Sequence, residues 1–260
     1  MNNYYRQLIE NEFRSCVNGT IQRVRDNEQT YRPFHTALLS EDALFWSAFE
    51  RSFSTSFGQR VIEEIAKLVA LSNGADEACR QKVTTITIDS AYEEAIHTHI
   101  NNLRAHRCPA HDWNSSLAEV QSAKPVNNPI QIRVISDMWW RKNGVDNYIS
   151  LKTVKPNIDQ TMVAKEDCLH LKIANPSCNV YFGLPYNPFG DDKASYNFNP
   201  PMGIFDFHND SVVLIGKEMW DTIGGSGCYE ELIDIANSVG KDTKTEIDRL
   251  KAYVLGLTKK

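Results

Sequence analysis

Hydrophobic residues in the first hundred positions recur at helical spacing. They predict one helix over residues 3–25 and a second, longer helix that begins at Ser40. A β-rich run at 83–88 predicts a first strand, and a helix capped by Ser90 follows to about residue 104. The stripe of the second helix consists of Phe45, Phe49, Phe53, Phe57, Val61, Ile65, Leu68 and Val69.

Strand-like patterns replace helical spacing from about residue 130. Asn143-Gly144 predicts a tight hairpin turn, because both residues tolerate positive φ. Asn157 is placed to cap the helix after the hairpin. Predicted strands cover 130–140, 147–154, 178–184 and 211–215, predicted helices cover 158–173 and 230–257, and 185–203 is a predicted surface loop.

This order of elements predicts an α/β fold in which helices flank a mixed central sheet. We expect a single domain over residues 1–260. Its parts are a mainly helical N-terminal part (about 1–105), a sheet core that carries the chemistry (about 130–216) and a helical C-terminal part (about 217–260).

The composition is that of an ordinary globular protein, with 42% hydrophobic and 23% charged residues. No apolar run is long enough for a membrane helix, and the N-terminus lacks the apolar core of a signal peptide, so we expect no membrane association and a cytoplasmic location. The net charge of −5 argues against a protein that coats nucleic acid non-specifically. It allows a sequence-specific DNA enzyme, because only the groove-facing surface must be basic.

Charge is unevenly distributed along the chain. The segment 131–165 has a basic excess, with Arg133, Arg141, Lys142, Lys152, Lys155 and Lys165 against Asp137, Asp146 and Asp159. The six cysteines form no C-x-x-C pair and are expected to be free thiols. A zinc site is one interpretation of His97, His99, His106, Cys108 and His111, although their spacing matches no usual zinc motif.

The predicted hairpin carries residues suited to phosphodiester hydrolysis, which needs a divalent metal and a base or cation near the attacking water. Asp137 on the first strand can lie level with Ser150 and Lys152, which share one face of the return strand. The carbonyl of Leu151 would point between them as a neutral ligand, and oxygen ligands suit Mg²⁺. Asp137 alone could be an exposed aspartate at a strand end, whereas Lys152 lies in an otherwise apolar strand where a structural lysine is unfavourable. The pairing of the two carries the prediction.

These residues resemble the PD-(D/E)xK nuclease signature, in which an Asp is followed on the next strand by Glu-x-Lys. Three further stretches, 54–59, 152–157 and 215–232, resemble the TdeIII family of type II restriction endonucleases over roughly residues 45–235. The resemblance implies a restriction-endonuclease-like core, an Mg²⁺ cofactor and cleavage of double-stranded DNA that leaves 5′-phosphate and 3′-hydroxyl ends. It further implies a palindromic site of the GGNCC type, a homodimer and a cognate DNA methyltransferase.

The chain departs from the signature at Ser150, where a carboxylate is expected. Some restriction enzymes with Ser at this place take the acid from the next helix, where Glu166 and Asp167 lie, and Glu166 is the candidate. A second source is the long N-terminal helix. There the helical phase favours Glu64, whereas the family pattern points to Glu63, and both remain candidates.

Phosphate contacts are expected from short polar side chains, lysines and helix starts. One candidate set follows the predicted strand 147–154, and the other precedes the candidate glutamates Glu63 and Glu64. Base contacts are expected in the asparagine-rich 185–210 loop. The two sets are Lys155, Asn157 and Gln160, and Ser54, Thr55, Ser56, Gln59 and Arg60. The alternatives are a repair or recombination nuclease on the same core, a DNA-binding protein whose site has decayed, or a zinc-stabilised module.

Overall fold

Residues with helical hydrophobic spacing fold as helices in the computed structural model, which describes residues 1–26, 32–107, 111–199 and 203–256, but not the side chain of Gln59. The α-helices are α1 (Asn3–Asp26), α2 (Pro33–Leu38), α3 (Glu41–Ser56), α4 (Ile62–Ser72), α5 (Ser90–Arg104), α6 (Trp113–Gln121), α7 (Ile158–Ala174), α8 (Lys217–Gly224) and α9 (Cys228–Val254). The strands are β1 (Glu77–Asp89), β2 (Pro129–Lys142), β3 (Val145–Leu151), β4 (Asn179–Leu184) and β5 (Val213–Ile215). Residues 257–260, which include the predicted end of the last helix, lie outside this description.

The chain groups into two compact units, Met1–Leu68 with Glu230–Lys260 and Val69–Tyr229. The expectation of a single domain stays a prediction. The first unit is helical, and its small core consists of Ile21, Phe45, Phe49 and Leu250 with partly buried Val17, Val24, Phe53 and Ile247.

The long helix predicted from Ser40 is interrupted. Its start is as predicted, because the Ser40 hydroxyl accepts the Ala43 N–H over 3.2 Å. However, α3 ends at Ser56 and a π-helical turn, Phe57–Val61, precedes α4. A π turn contains more residues than an α turn, so the predicted stripe does not continue in a single phase.

The second unit contains a five-stranded mixed sheet of order β1-β2-β3-β4-β5, which confirms the α/β class. Strands β1, β2 and β3 are antiparallel, and β3, β4 and β5 are parallel. The predicted hairpin turn is present, with φ of 53° at Asn143 and 75° at Gly144. Strand β3 ends at Leu151, three residues before the predicted Val154.

Helix α7 crosses between the parallel strands β3 and β4. Its predicted cap is a full capping box: Asn157 accepts the Gln160 N–H over 2.8 Å, and the Gln160 side chain accepts the Asn157 N–H over 3.2 Å. Buried side chains of α5 and α7 join those of all five strands in the main core. This packing fixes α7 beside the hairpin.

Three local features differ from the sequence prediction. Helices α2 and α6 were not predicted, because both are short and lack a long apolar stripe. The predicted surface loop 185–203 is anchored by Tyr196, which is 1% exposed and donates its hydroxyl to the Val154 carbonyl over 3.0 Å.

Within the described ranges, no helix combines the length and apolarity needed to cross a membrane.

Candidate active site

The Asp137 carboxylate and the Lys152 ammonium form the centre of the candidate site. Lys152 Nζ donates to Asp137 Oδ2 over 2.8 Å, and the two side chains are 21% (Lys152) and 20% (Asp137) exposed. The pair predicted from the sequence is therefore in direct contact, and solvent still reaches it.

The pair lies where β2 and β3 separate. The cross-strand ladder ends with Met138 opposite Ile149. Beyond that pair, Asp137 Oδ2 accepts the Leu151 N–H over 2.7 Å and the Ser150 hydroxyl over 3.3 Å. The side chain of Asp137 thus replaces a strand backbone as the acceptor, which fixes the carboxylate between the strands.

Gln81 contacts the other carboxylate oxygen from β1. Its Nε2 donates to Asp137 Oδ1 over 3.3 Å. Gln81 has a φ of 49°, in the left-handed region that non-glycine residues seldom adopt, although the ladder pairs on either side of it are intact. Backbone strain of this kind is concentrated at functional sites. Nothing in the sequence pattern pointed to this residue.

Strand β4 holds the residue that follows β3. The Lys152 N–H donates to the Gly183 carbonyl over 3.0 Å. A Cβ at position 183 would lie 2.6 Å from Cδ1 of Ile149, which is fully buried. Glycine therefore permits the close approach of β4 that positions Lys152.

Asp167 on α7 is electrostatically coupled to the pair. The pKa of Asp167 is raised to about 7, mainly by burial and next by the Glu166 charge; Lys152 lowers this pKa and Asp137 raises it. A carboxyl group with this pKa lacks a sufficient positive partner. The acid predicted from the sequence is the neighbouring Glu166. Which of the two side chains faces the pair depends on how α7 packs, and local sequence does not specify that packing.

Glu166 is held by a histidine. His97 Nδ1 lies 3.3 Å from Glu166 Oε1, and His97 Nε2 lies 2.9 Å from Glu93 Oε1. Glu93 also pairs with the buried His170. Helices α5 and α7 are thereby joined by a network of carboxylates and imidazoles.

The sequence of the chain matches a known protein family. A sequence model of the type II restriction endonuclease family HinfI matches residues 1–240. The chain belongs to the HinfI family of type II restriction endonucleases. The resemblance to type II restriction endonucleases is thus confirmed, and the matching family is HinfI rather than TdeIII.

Relatives of this restriction endonuclease occur in Herpetosiphon aurantiacus. The type II restriction enzyme HgiEI is 28% identical over 252 residues, which are 94% of this chain and 89% of HgiEI. HgiCII is 28% identical over 84% of this chain and 81% of its own length, and HgiBI is 29% identical over 83% and 80%. Relatives of this kind are site-specific deoxyribonucleases, and this chain is an enzyme of the same class.

Glu63 and Glu64 belong to the other compact unit of the endonuclease, in the first turn of α4. Both are half-buried, and Glu64 pairs with Lys67 over 2.5 Å. The helical phase that favours Glu64 is counted from Phe57 and therefore crosses the π turn. The choice between the two glutamates stays a prediction.

The first predicted DNA-binding set lies just past the active strand. Lys155 is exposed, and its ammonium lies 5.4 Å from the Phe189 ring centroid. Asn157 and Gln160 are exposed at the start of α7, where their side chains form the capping box. A role of these three residues in phosphate binding stays a prediction.

The second predicted set lies at the end of α3 and in the π turn, so it does not begin a helix. Ser54 donates to Glu50 over 2.6 Å, Thr55 to the Arg51 carbonyl over 2.8 Å, and Ser56 to the Ser52 carbonyl over 3.1 Å. Arg60 pairs with Glu12 over 3.3 Å, and the Gln59 side chain lies outside the described residues. The hydroxyl groups thus have hydrogen-bond partners within α3.

The basic segment is less basic at the surface than the sequence suggested. Lys165 is fully buried and donates to the carbonyls of His111 and Ile204. Arg141 pairs with Asp146 over 2.8 Å. A charge count along the chain cannot show such internal neutralisation.

The histidine cluster does not form a metal site in the part of the chain that the structure describes. No group of three or more His, Cys, Asp or Glu side chains in that part is arranged to hold a metal ion. His99 pairs with Glu119 over 2.8 Å, and Cys108 lies outside the described residues.

Proposed function

We propose that this chain is an Mg²⁺-dependent endonuclease that hydrolyses phosphodiester bonds of double-stranded DNA at a specific sequence. The observation that carries the proposal is the 2.8 Å contact between Lys152 and Asp137, in an opening between two strands. Family membership supplies the reaction class.

The oxygen atoms around Asp137 suit a hard divalent cation. Asp137 and Asp167 supply carboxylates, and the Leu151 carbonyl is a neutral candidate ligand. Burial and the neighbouring Glu166 charge raise the pKa of Asp167, so a bound cation would favour its charged form. When bound, Mg²⁺ would supply charge stabilisation at the scissile phosphate and acidify water.

Lys152 has two tasks in this proposal. Its ammonium holds Asp137 in one orientation and is available to orient the attacking water or to stabilise charge that develops on the phosphate. The backbone bonds of Leu151 to Asp137 and of Lys152 to Gly183 keep both groups in place before substrate binds.

An acid from α7 replaces the carboxylate missing at Ser150. Asp167 is favoured over Glu166, because Asp167 responds to the charges of Asp137 and Lys152 whereas Glu166 is engaged by His97. Glu63 or Glu64 remains a further candidate from the helical unit.

The biological assignment extends this chemistry. A palindromic target implies a homodimer, and restriction requires a cognate methyltransferase that protects the host DNA in the cytoplasm of a bacterial or archaeal cell. The proposed target is of the GGNCC type, and the products carry 5′-phosphate and 3′-hydroxyl ends. Lys155, Asn157 and Gln160, with Ser54, Thr55, Ser56, Gln59 and Arg60, are the proposed DNA contacts.

Digestion of unmethylated phage DNA tests the proposal. Wild type in Mg²⁺ should give discrete fragments whose ends map to one sequence, and EDTA should abolish them. Asp137→Ala and Lys152→Ala should leave the DNA intact. The matched controls Asp146→Asn and Lys142→Ala, on the same hairpin, should cut normally.

Other results would point elsewhere. Cleavage that follows DNA structure rather than sequence would indicate a repair or recombination nuclease. Intact DNA on several substrates from folded wild type that nevertheless binds DNA would indicate a site that has decayed at Ser150. Two duplexes of equal length, one with and one without a GGNCC site, test the proposed target: only the duplex with the site should be cut.

A further inference from the structure

An exposed strip extends from the candidate site along a two-stranded ribbon. Strand β3 pairs with β2 only from Met138 onward, so residues 129–136 of β2 pair with β1 alone. On one face of this ribbon, three cross-strand pairs are exposed: Val83 with Ile135, Thr85 with Arg133, and Thr87 with Gln131. We call these six residues the β1–β2 strip.

The opposite face of the ribbon is covered. Ile86, Ile88 and Val134 are buried in the core with side chains of α5. The side chains of the strip therefore face solvent, whereas the side chains at the alternate positions pack the ribbon against the core. Val83 and Ile135 are each 46% exposed, which is unusual for a matched pair of β-branched residues.

The strip is continuous with the proposed catalytic centre. Gln81 lies two residues from Val83 on β1, is exposed and donates to Asp137, which lies two residues from Ile135 on β2. DNA whose scissile phosphate lies at Asp137 must continue in some direction over the protein surface. The strip offers an open path that begins at that carboxylate.

The chemistry of the strip suits a phosphate backbone. It contains no acidic residue, and the exposed Arg133 guanidinium makes no hydrogen bond or ion pair with any residue that the structure describes. Thr85 lies directly across from Arg133, so a hydroxyl and a guanidinium can donate to one phosphate. Arg133 lies four residues from Asp137, about 13 Å along the strand, which is too far to share the scissile phosphate.

We propose that the β1–β2 strip binds the DNA backbone beside the cleavage position, with Arg133 and Thr85 contacting a phosphate other than the scissile one. This inference rests on the proposed nuclease function. It adds a binding surface outside the two sets of DNA contacts named from the sequence. Val83 and Ile135 pack against the sugars between the two phosphates.

Binding of a labelled duplex in EDTA, at several salt concentrations, measures this contact without cleavage. Arg133→Gln should lower the magnitude of the slope of log K against log salt by about 0.9, which corresponds to about eightfold weaker binding at 0.1 M salt. The loss should be equal for target and non-target duplexes, because a phosphate contact carries no sequence information. Thr85→Glu should weaken binding further by repelling the phosphate.

Arg107→Gln is the matched control. Arg107 is an exposed arginine that follows α5, and α5 packs on the covered face of the ribbon. This variant should keep the wild-type slope, and thermal melting should show that all three variants are folded. Sedimentation of each variant separates DNA binding from self-association through the same strip.

Two results would overturn the inference while the proposed function stands. The first is a wild type that cleaves DNA while Arg133→Gln keeps the wild-type slope. The second is a change in self-association with no change in the DNA slope, which would make the strip an interface between copies. A wild type that neither cuts nor binds DNA would instead reject the proposed function.

Discussion

The backbone N–H of Leu151 donates to Oδ2 of Asp137 over 2.7 Å, just beyond the last β2–β3 ladder pair. This bond couples the position of the carboxylate to the backbone of the strand that leads into Lys152. The same oxygen accepts the Lys152 ammonium. Small movements of β3 therefore alter the geometry of both groups.

The two neighbouring acids of α7 should differ in importance. Asp167→Asn should lower kcat by at least about a hundredfold, because it removes the carboxylate that responds to Asp137 and Lys152. Glu166→Gln should retain most of the activity, since Glu166 is held by His97. Single-turnover cleavage of a target duplex measures both. A larger loss of activity for Glu166→Gln would indicate that Glu166 is the functional acid, and equal losses would contradict the preference for Asp167.

Ser150 should accept a transferred carboxylate. Its hydroxyl lies 3.3 Å from Asp137 Oδ2, so a carboxylate at position 150 would reach the same region. We expect Ser150→Glu to restore measurable cleavage to Asp167→Asn. Ser150→Gln in the same background is the neutral control and should restore none. Failure of Ser150→Glu in a folded double variant would argue that Asp167 does not do the work of the missing acid.

Gly183→Ala should destabilise the protein by about 1–3 kcal/mol, because the new methyl group would lie 2.6 Å from Cδ1 of buried Ile149. Activity should fall as well, since Gly183 accepts the Lys152 N–H. Urea unfolding measures the free energy change. Gly58→Ala is the control, with no atom within 4 Å of its Cβ, and it should be neutral or slightly stabilising. Equal stability of the two variants would mean that β4 can shift away from Ile149.

Protonation of the Asp89 carboxylate at low pH should weaken the hydrogen bonds that it accepts. The N–H groups of Val126, Ala91 and Asn128 donate to this carboxylate and lower its pKa below the usual 3.8. Because the folded-state pKa is depressed, the stabilisation is present above about pH 4 and is lost as the pH falls through the folded value.

Asp89→Asn should therefore lower Tm at pH 7, and the difference from wild type should shrink as the pH falls below about 4. Asp191→Asn removes the same charge from an exposed loop position and should leave Tm nearly unchanged at both pH values. A difference between Asp89→Asn and wild type that is the same from pH 3 to pH 7 would contradict an ionised Asp89 as its source.

The sequence by itself determined the hairpin and the pair on it. Asn143-Gly144 specifies a turn with two positive φ angles, and the alternation of side chains then brings Asp137 level with Ser150 and Lys152. The cap at Asn157 followed from an equally local rule. These features depend on residues close together in the chain, so pattern and spacing are sufficient.

Only the tertiary structure decided which other groups surround the pair. Gln81 reaches Asp137 from a strand 56 residues earlier, through a left-handed backbone that no propensity suggests. The direction of Asp167 depends on how α7 packs, and Lys165 lost its place in the basic surface because two distant carbonyls bind it in the core. Contacts between residues far apart in the chain are fixed by tertiary packing, which the local pattern of hydrophobic and polar residues does not specify.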